Sequence, residues 1–164
     1  MKRRSAFSTF EQATSQTWFA YTLLALRLAL GVMFLYAGIS KLGDWTAVGY
    51  LEAATGPLAE WFQSMAGSVL VDQLNIWGQI LIGVALIIGA CVRPASFFGI
   101  VMMLLYYFAQ FEQNTAHGLI DAHIINVVVF ILFLAGGVGH IFGLNELLTR
   151  GMKKTNWLVR FLFG

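Results

Sequence analysis

The sequence predicts an all-α integral membrane protein: an antiparallel four-helix bundle, both termini cytoplasmic, with an interfacial helical loop between spans one and two. Three observations carry this. The 164 residues are 59% hydrophobic and 11% charged, with mean hydropathy +0.75, whereas soluble domains carry about 25% charged residues. Four apolar runs, at about 18–42, 75–91, 94–111 and 119–142, approach the roughly 20 residues that cross a bilayer as helix. The third is charge placement. With four spans, Lys2, Arg3, Arg4, Arg93, Arg150, Lys153, Lys154 and Arg160 fall on one side and the acidic loops on the other. Positive residues favour the cytoplasmic side; only Lys41 departs, at the outer edge. The length suits one domain, in a multi-pass protein of the plasma membrane.

Residues 1–17 form a basic, then polar, cytoplasmic tail. Ser8 and Glu11 have capping-box spacing, so a short helix and a disordered tail are equal alternatives. The polar stretch separates the basic start from the apolar run, unlike a secretory signal, so the first span is expected to be retained.

Span one carries a stripe. Arg27, Gly31, Phe34, Gly38 and Lys41 are spaced 4, 3, 4 and 3 apart and lie within about 40° of one line down a helix. A charge at mid-bilayer costs roughly 2.5–3.5 kcal/mol on insertion scales, so Arg27 is expected to face other helices or a water-filled cavity. Residues 43–74 hold Asp44, Glu52, Glu60 and Asp72 and no Lys or Arg. Their apolar residues recur at helical spacing, broken at Gly56-Pro57, which suits short helices in the interface. A plain anchor is the preferred reading and a lid over the bundle mouth the alternative.

Spans two and three are separated by Val92 and Arg93 only, so they are expected to be antiparallel neighbours, with Pro94 in the first turn of span three. A polar turn, 112–118, leads to span four. Residues 143–164 form a basic cytoplasmic tail in which Trp157–Phe163 rests on the membrane surface.

Polar residues gather toward the outer half: Lys41, Asp44, Asn75, Gln79, Tyr106, Tyr107, Gln110, Glu112, Asp121, His123 and Asn126. One reading is a pocket opening outward with Arg27 at its floor, about 21 Å below Lys41. The other is hydrogen bonding between helices plus interfacial polarity. Arg27, Lys41, Gln79, Asp121, His123 and Asn126 are the candidate ligand-binding residues. Tyr106 and Tyr107 are read as belt aromatics. His123 and Asn126 share a helical face, while Asp121 and His123, two apart, do not, so at most one of that pair points inward.

Several chemistries are set aside. Cys91 is the single cysteine, which excludes an internal disulfide and a cysteine metal site. His117, His123 and His140 all lie on or beside span four, with His123 and His140 about 25 Å apart along it, so neither haem nor metal is expected from this chain alone. No soluble-enzyme motif is present. The basic residues lie beside membrane spans, so nucleic acid is not an expected partner. Ala135, Gly139 and Gly143, and Ala85 and Gly89, recur every four positions. Packing inside the bundle is the preferred reading, with packing against a partner subunit the alternative.

The run Arg27-x3-Gly31-x2-Phe34-x3-Gly38-x2-Lys41 resembles the first-span signature of the DoxX/DoxD-like membrane proteins. WGQILIGVALIIGACVRPASFFG (Trp77 to Gly99) and GGVGHIFGLNELL are similar to later family segments. Gln79 stands where many members carry Glu, and Asn145 where Asp is usual. The resemblance covers about residues 22–148. It implies a four-helix bundle and a link to quinone-coupled electron transfer, as in the small membrane subunit of thiosulfate:quinone oxidoreductase.

Three functions compete. The chain is a membrane subunit of a quinone-linked oxidoreductase, holding a quinone head group or a thiosulfate-like anion near the outer face, with quinone as substrate. There Gly31 and Gly38 leave room for a ring, and the partners are other membrane or periplasmic-side subunits. Alternatively it is a structural subunit without its own activity, or a small anion transporter. The lack of an internal repeat counts mildly against transport.

Overall fold

The computed structural model describes residues 6–116, 118–136 and 138–140. Among them it is helical, with one isolated β-bridge between Thr55 and Gln110. In order the helices are α1 (Ala6–Ile39), α2 (Val48–Glu52), α3 (Ala59–Gln63), α4 (Val69–Ile88), α5 (Val92–Ala109), α6 (Phe111–Thr115) and α7 (Ala122–Gly136). A 3-10 turn, Val138–His140, follows. The first helix has 34 residues, so the polar stretch from Ala6 continues directly into the span. Thr17–Ile39, Val69–Ile88 and Val92–Ala109 are long and apolar enough to cross a membrane. The chain is a multi-pass membrane protein. α7 is apolar but has 15 residues, about 22 Å. The expected run 119–142 is therefore shorter as helix. Gly118, at φ +135°, precedes exposed Leu119 and Ile120, and residues 141–142 lie outside the described residues, as does the basic tail.

Contacts fix the packing. Gly38 meets Ile76 and Ile80, and Gly31 meets Gly83, Leu86 and Ile87, so α1 and α4 run antiparallel. A Cβ on Gly83 would lie 2.5 Å from the Leu35 nitrogen, and one on Gly38 would lie 2.8 Å from the Ile80 nitrogen. These glycines let two backbones touch, as small residues do in membrane helices. Gly31 and Gly38 thus leave no room for a ring; α4 occupies that space. Gly99 against Phe130 and Tyr106 against His123 make α5 and α7 antiparallel as well. Phe34 and Phe130 meet edge to face at 5.3 Å, joining α1 to α7 in a core with Leu30, Leu86, Val92 and Phe133.

α4 ends at Gly89 (φ +67°), and Cys91 (φ +55°) precedes α5. The link between the two helices is therefore Gly89–Cys91, with Val92 and Arg93 already helical. Gly89 is a left-handed helix stop and not one of a packing pair. Of the span-four stripe, Ala135 is exposed and Gly139 is buried in the turn after α7, and Gly143 lies outside the described residues.

The loop after α1 is docked on the bundle. Leu51 and Phe62 are buried with Ala47, Ala54 and Ala109 in a second core. Gln110 Nε2 donates to Tyr50 O at 3.1 Å, and Thr55 N donates to Ala109 O at 3.0 Å. The reading as a plain interfacial anchor gives way to a cap held on α5, because buried apolar side chains and backbone bonds fix it there. α4 starts at Val69, six residues earlier than expected, and the Ala47 N–H donates to Asp72 Oδ1 at 2.8 Å.

Candidate head-group site

Lys41 lies two residues past α1, in a turn closed by Lys41 N donating to Gly38 O at 3.2 Å. That turn aims its side chain across α4. Nζ donates to Asn75 Oδ1 at 2.8 Å, to Gln79 Oε1 at 3.0 Å and, at 3.5 Å, to the Tyr106 hydroxyl. Asn75 and Gln79 are one helical turn apart, so both face the same neighbour. Their amide nitrogens donate to the Tyr106 hydroxyl at 2.7 and 2.9 Å. Tyr106 accepts in every one of these bonds, which leaves its own O–H proton to donate. Nζ also sits 4.6 Å from the Trp45 ring centroid and 5.7 Å from that of Tyr106.

All these acceptors are neutral. Among the described residues the one ion-pair contact joins His123 and Asp121, so Lys41 has no carboxylate partner there. A cation removed from water is costly unless paired, and neutral dipoles compensate it only in part. The arrangement therefore favours an incoming acceptor, either a carbonyl oxygen or an anion.

His123 packs against Tyr106, its ring 6.1 Å away edge to face. Its Nδ1 meets Asp121 Oδ2, and Asp121 Oδ1 accepts the Ile124 N–H at 3.0 Å. The sequence reading let only one of this pair point inward. The structure joins them because Asp121 precedes the helix and caps it, so helical spacing does not govern it. With Asp121 ionised, Nδ1 carries the proton and Nε2 is left as an acceptor. Tyr50 packs edge to face on Tyr106 at 6.0 Å, and its hydroxyl donates to Tyr106 O at 3.3 Å. Burial, reinforced by the Asp121 charge, pushes its phenol up to about 12, so it stays neutral.

A cavity of about 1140 Å³ opens beside this cluster, lined by Lys41, Trp45, Asn75, Tyr106 and His123 at one end and by faces of α4 and α5 beyond. Drug-sized ligands occupy about 300–1,000 Å³.

Of the expected site residues, Lys41, Gln79 and His123 come together, and Asp121 joins through His123. Arg27 does not. It is 1% exposed, its Nη1 donates to Val138 O at 2.8 Å, and it is not part of the cavity wall. It holds the turn after α7 and is not the pocket floor. Asn126 sits apart too, its Nδ2 3.7 Å from Met103 Sδ between α7 and α5. Tyr106 was read as a belt aromatic, yet its hydroxyl is the hub of the cluster. Its sequence signal was the Asn75–Gln79 pair, a half-buried and a buried amide that need a shared partner. Tyr107 faces inward as well, 5% exposed, donating to Leu119 O at 2.9 Å.

The DoxX family model matches residues 22–112, more than half of the chain and all of the Lys41, Asn75, Gln79 and Tyr106 cluster. The chain belongs to the DoxX family. This is a family of membrane proteins, often linked to quinone oxidoreductase subunits. Asp121 and His123 lie beyond the DoxX match. No curated protein and no solved structure matches the chain.

Proposed function

We propose that this DoxX protein is the membrane subunit of a quinone-linked oxidoreductase and that the Lys41 cluster holds the quinone head group. One observation carries the reading: an ammonium met, among the described residues, by neutral side chains at the polar end of a large apolar cavity. Lys41 Nζ and the Tyr106 O–H donate to one ring carbonyl. The His123 ring packs on Tyr106, and its Nε2, with Nδ1 bonded to Asp121 and the imidazole neutral, accepts from a quinol hydroxyl. Trp45 covers the cation. A small sulfur anion would suit Lys41 alone, but an apolar cavity of this size suits a lipid-soluble ligand.

The chain sits in the plasma membrane with both termini cytoplasmic and α7 completing a four-helix bundle, and it works beside other membrane or periplasmic-side subunits. The charge asymmetry supports the orientation, with Arg93 at the α4–α5 end and Lys41 at the other. Gentle detergent extraction followed by mass spectrometry tests the reading. A quinone travelling with the chain and its partner subunits is expected. A stable complex that carries no quinone and binds none when one is added would leave a structural subunit. A chain isolated alone that moves anions across vesicles would mean transport.

A further inference from the structure

We propose that the quinone's prenyl tail lies in a seat between α4 and α5, reached sideways from the bilayer. The proposal rests on the head-group reading above and adds a second subsite with its own chemistry. On α4 the cavity wall runs from Val71 to Ala85, about 21 Å of helix, and on α5 from Ala109 back to Pro94. Polar groups gather at the Lys41 end only. From Gly78 onward, toward Cys91, the wall is apolar. A head group alone would leave most of this length empty.

The seat opens laterally. Leu74, Leu81 and Phe98 line it and are 62%, 64% and 60% exposed, so its rim faces the acyl region and not another helix among those described. Two small residues, Gly78 and Ala85, hollow the α4 wall. The methyl end of Met102 lies 2.7 Å from where a Gly78 Cβ would sit. Met102 is the α5 side chain that lies against Gly78, and methionine is unbranched and adapts to an occupant. The occupant follows from the polar end. One ammonium and one hydroxyl suit a carbonyl oxygen. A phospholipid phosphate calls for several donors, such as a guanidinium fork, and the cavity wall carries none.

The test uses the full chain in nanodiscs, with quenching of Trp45 as the readout, and compares a tailless benzoquinone with one bearing several prenyl units at equal mole fraction in the bilayer. The prenylated quinone should bind about tenfold more tightly or better. Ala85→Phe should abolish that advantage while the tailless compound binds as before, which also shows that the variant is folded. Val101→Phe, on the half-exposed rim of α5, should act in the same direction. Equal affinity of the two compounds for the unaltered chain overturns the tail seat and leaves the head-group reading standing. So does a tail advantage that survives both substitutions, or one that phospholipid competes away. If neither compound binds the unaltered chain, the head-group reading falls and takes the tail seat with it.

Discussion

Arg27 stands within α1 and Lys41 in the turn two residues past its end, and the structure gives them opposite surroundings. Arg27 is sealed in the bundle, where Nη1 donates to the carbonyl of Val138 at a helix end. A forked, permanently charged donor suits a buried backbone carbonyl. Lys41 instead leans over amide and phenol groups at the cavity mouth. Both cations belong to one stripe by sequence spacing, so that spacing does not separate their roles. The acceptor does: a backbone carbonyl ties an element in place, whereas a ring of neutral side chains beside open space holds a donor ready for a ligand.

The largest effect should come from Arg27→Ala. Removing a fully buried side chain and its bond to Val138 O should cost roughly 2–5 kcal/mol, seen as a large fall in protein level and in melting temperature in detergent. A variant as stable as the unaltered chain would break the contrast from the Arg27 side. Gly83→Leu should come next, since its first carbon already collides with Leu35 backbone. Overpacking of this kind costs about 1–3 kcal/mol or more, and the loss should appear as reduced melting temperature with α1 and α4 separating first in hydrogen exchange.

Lys41→Met should barely change melting temperature, because it removes a cation from part-buried surroundings, but it should reduce quinone affinity by about tenfold or more. A stability loss equal to that of Arg27→Ala, with binding per folded molecule unchanged, would make both cations structural. Tyr50→Phe should have the smallest effect. It deletes one exposed 3.3 Å bond to Tyr106 O, worth about 1 kcal/mol or less, and should shift melting temperature slightly while leaving binding intact.

Much of the fold was legible because insertion into lipid imposes a length and a composition that single runs satisfy. The inward turn of Arg27 followed from its solvation cost in the same way. The site was legible in part. Lys41, Gln79 and His123 were visible as polar groups at one level of the membrane. Arg27 was misplaced because helical spacing gives a face and not the partner on it; that partner, Val138, is 111 residues away. The glycines of the stripe were given to a ligand for the same reason, since whether a bare backbone faces a ring or another helix depends on α4. The Asp121–His123 pairing escaped because α7 begins at Ala122 and not at Leu119, which converts Asp121 from a helical position to a cap. Tyr106 escaped because an interfacial tyrosine looks the same in sequence whether its hydroxyl meets water or two side-chain amides.

The most direct measurement of the central contrast is a titration of Trp45 fluorescence with a tailless quinone, in the unaltered chain and in Lys41→Met, at matched folded protein. Trp45 lies against the Lys41 ammonium, so a bound ring should quench it. The account predicts saturable quenching in the unaltered chain and its loss, or a shift to about tenfold higher concentration, in Lys41→Met. Saturable quenching with the same midpoint in both proteins would contradict it.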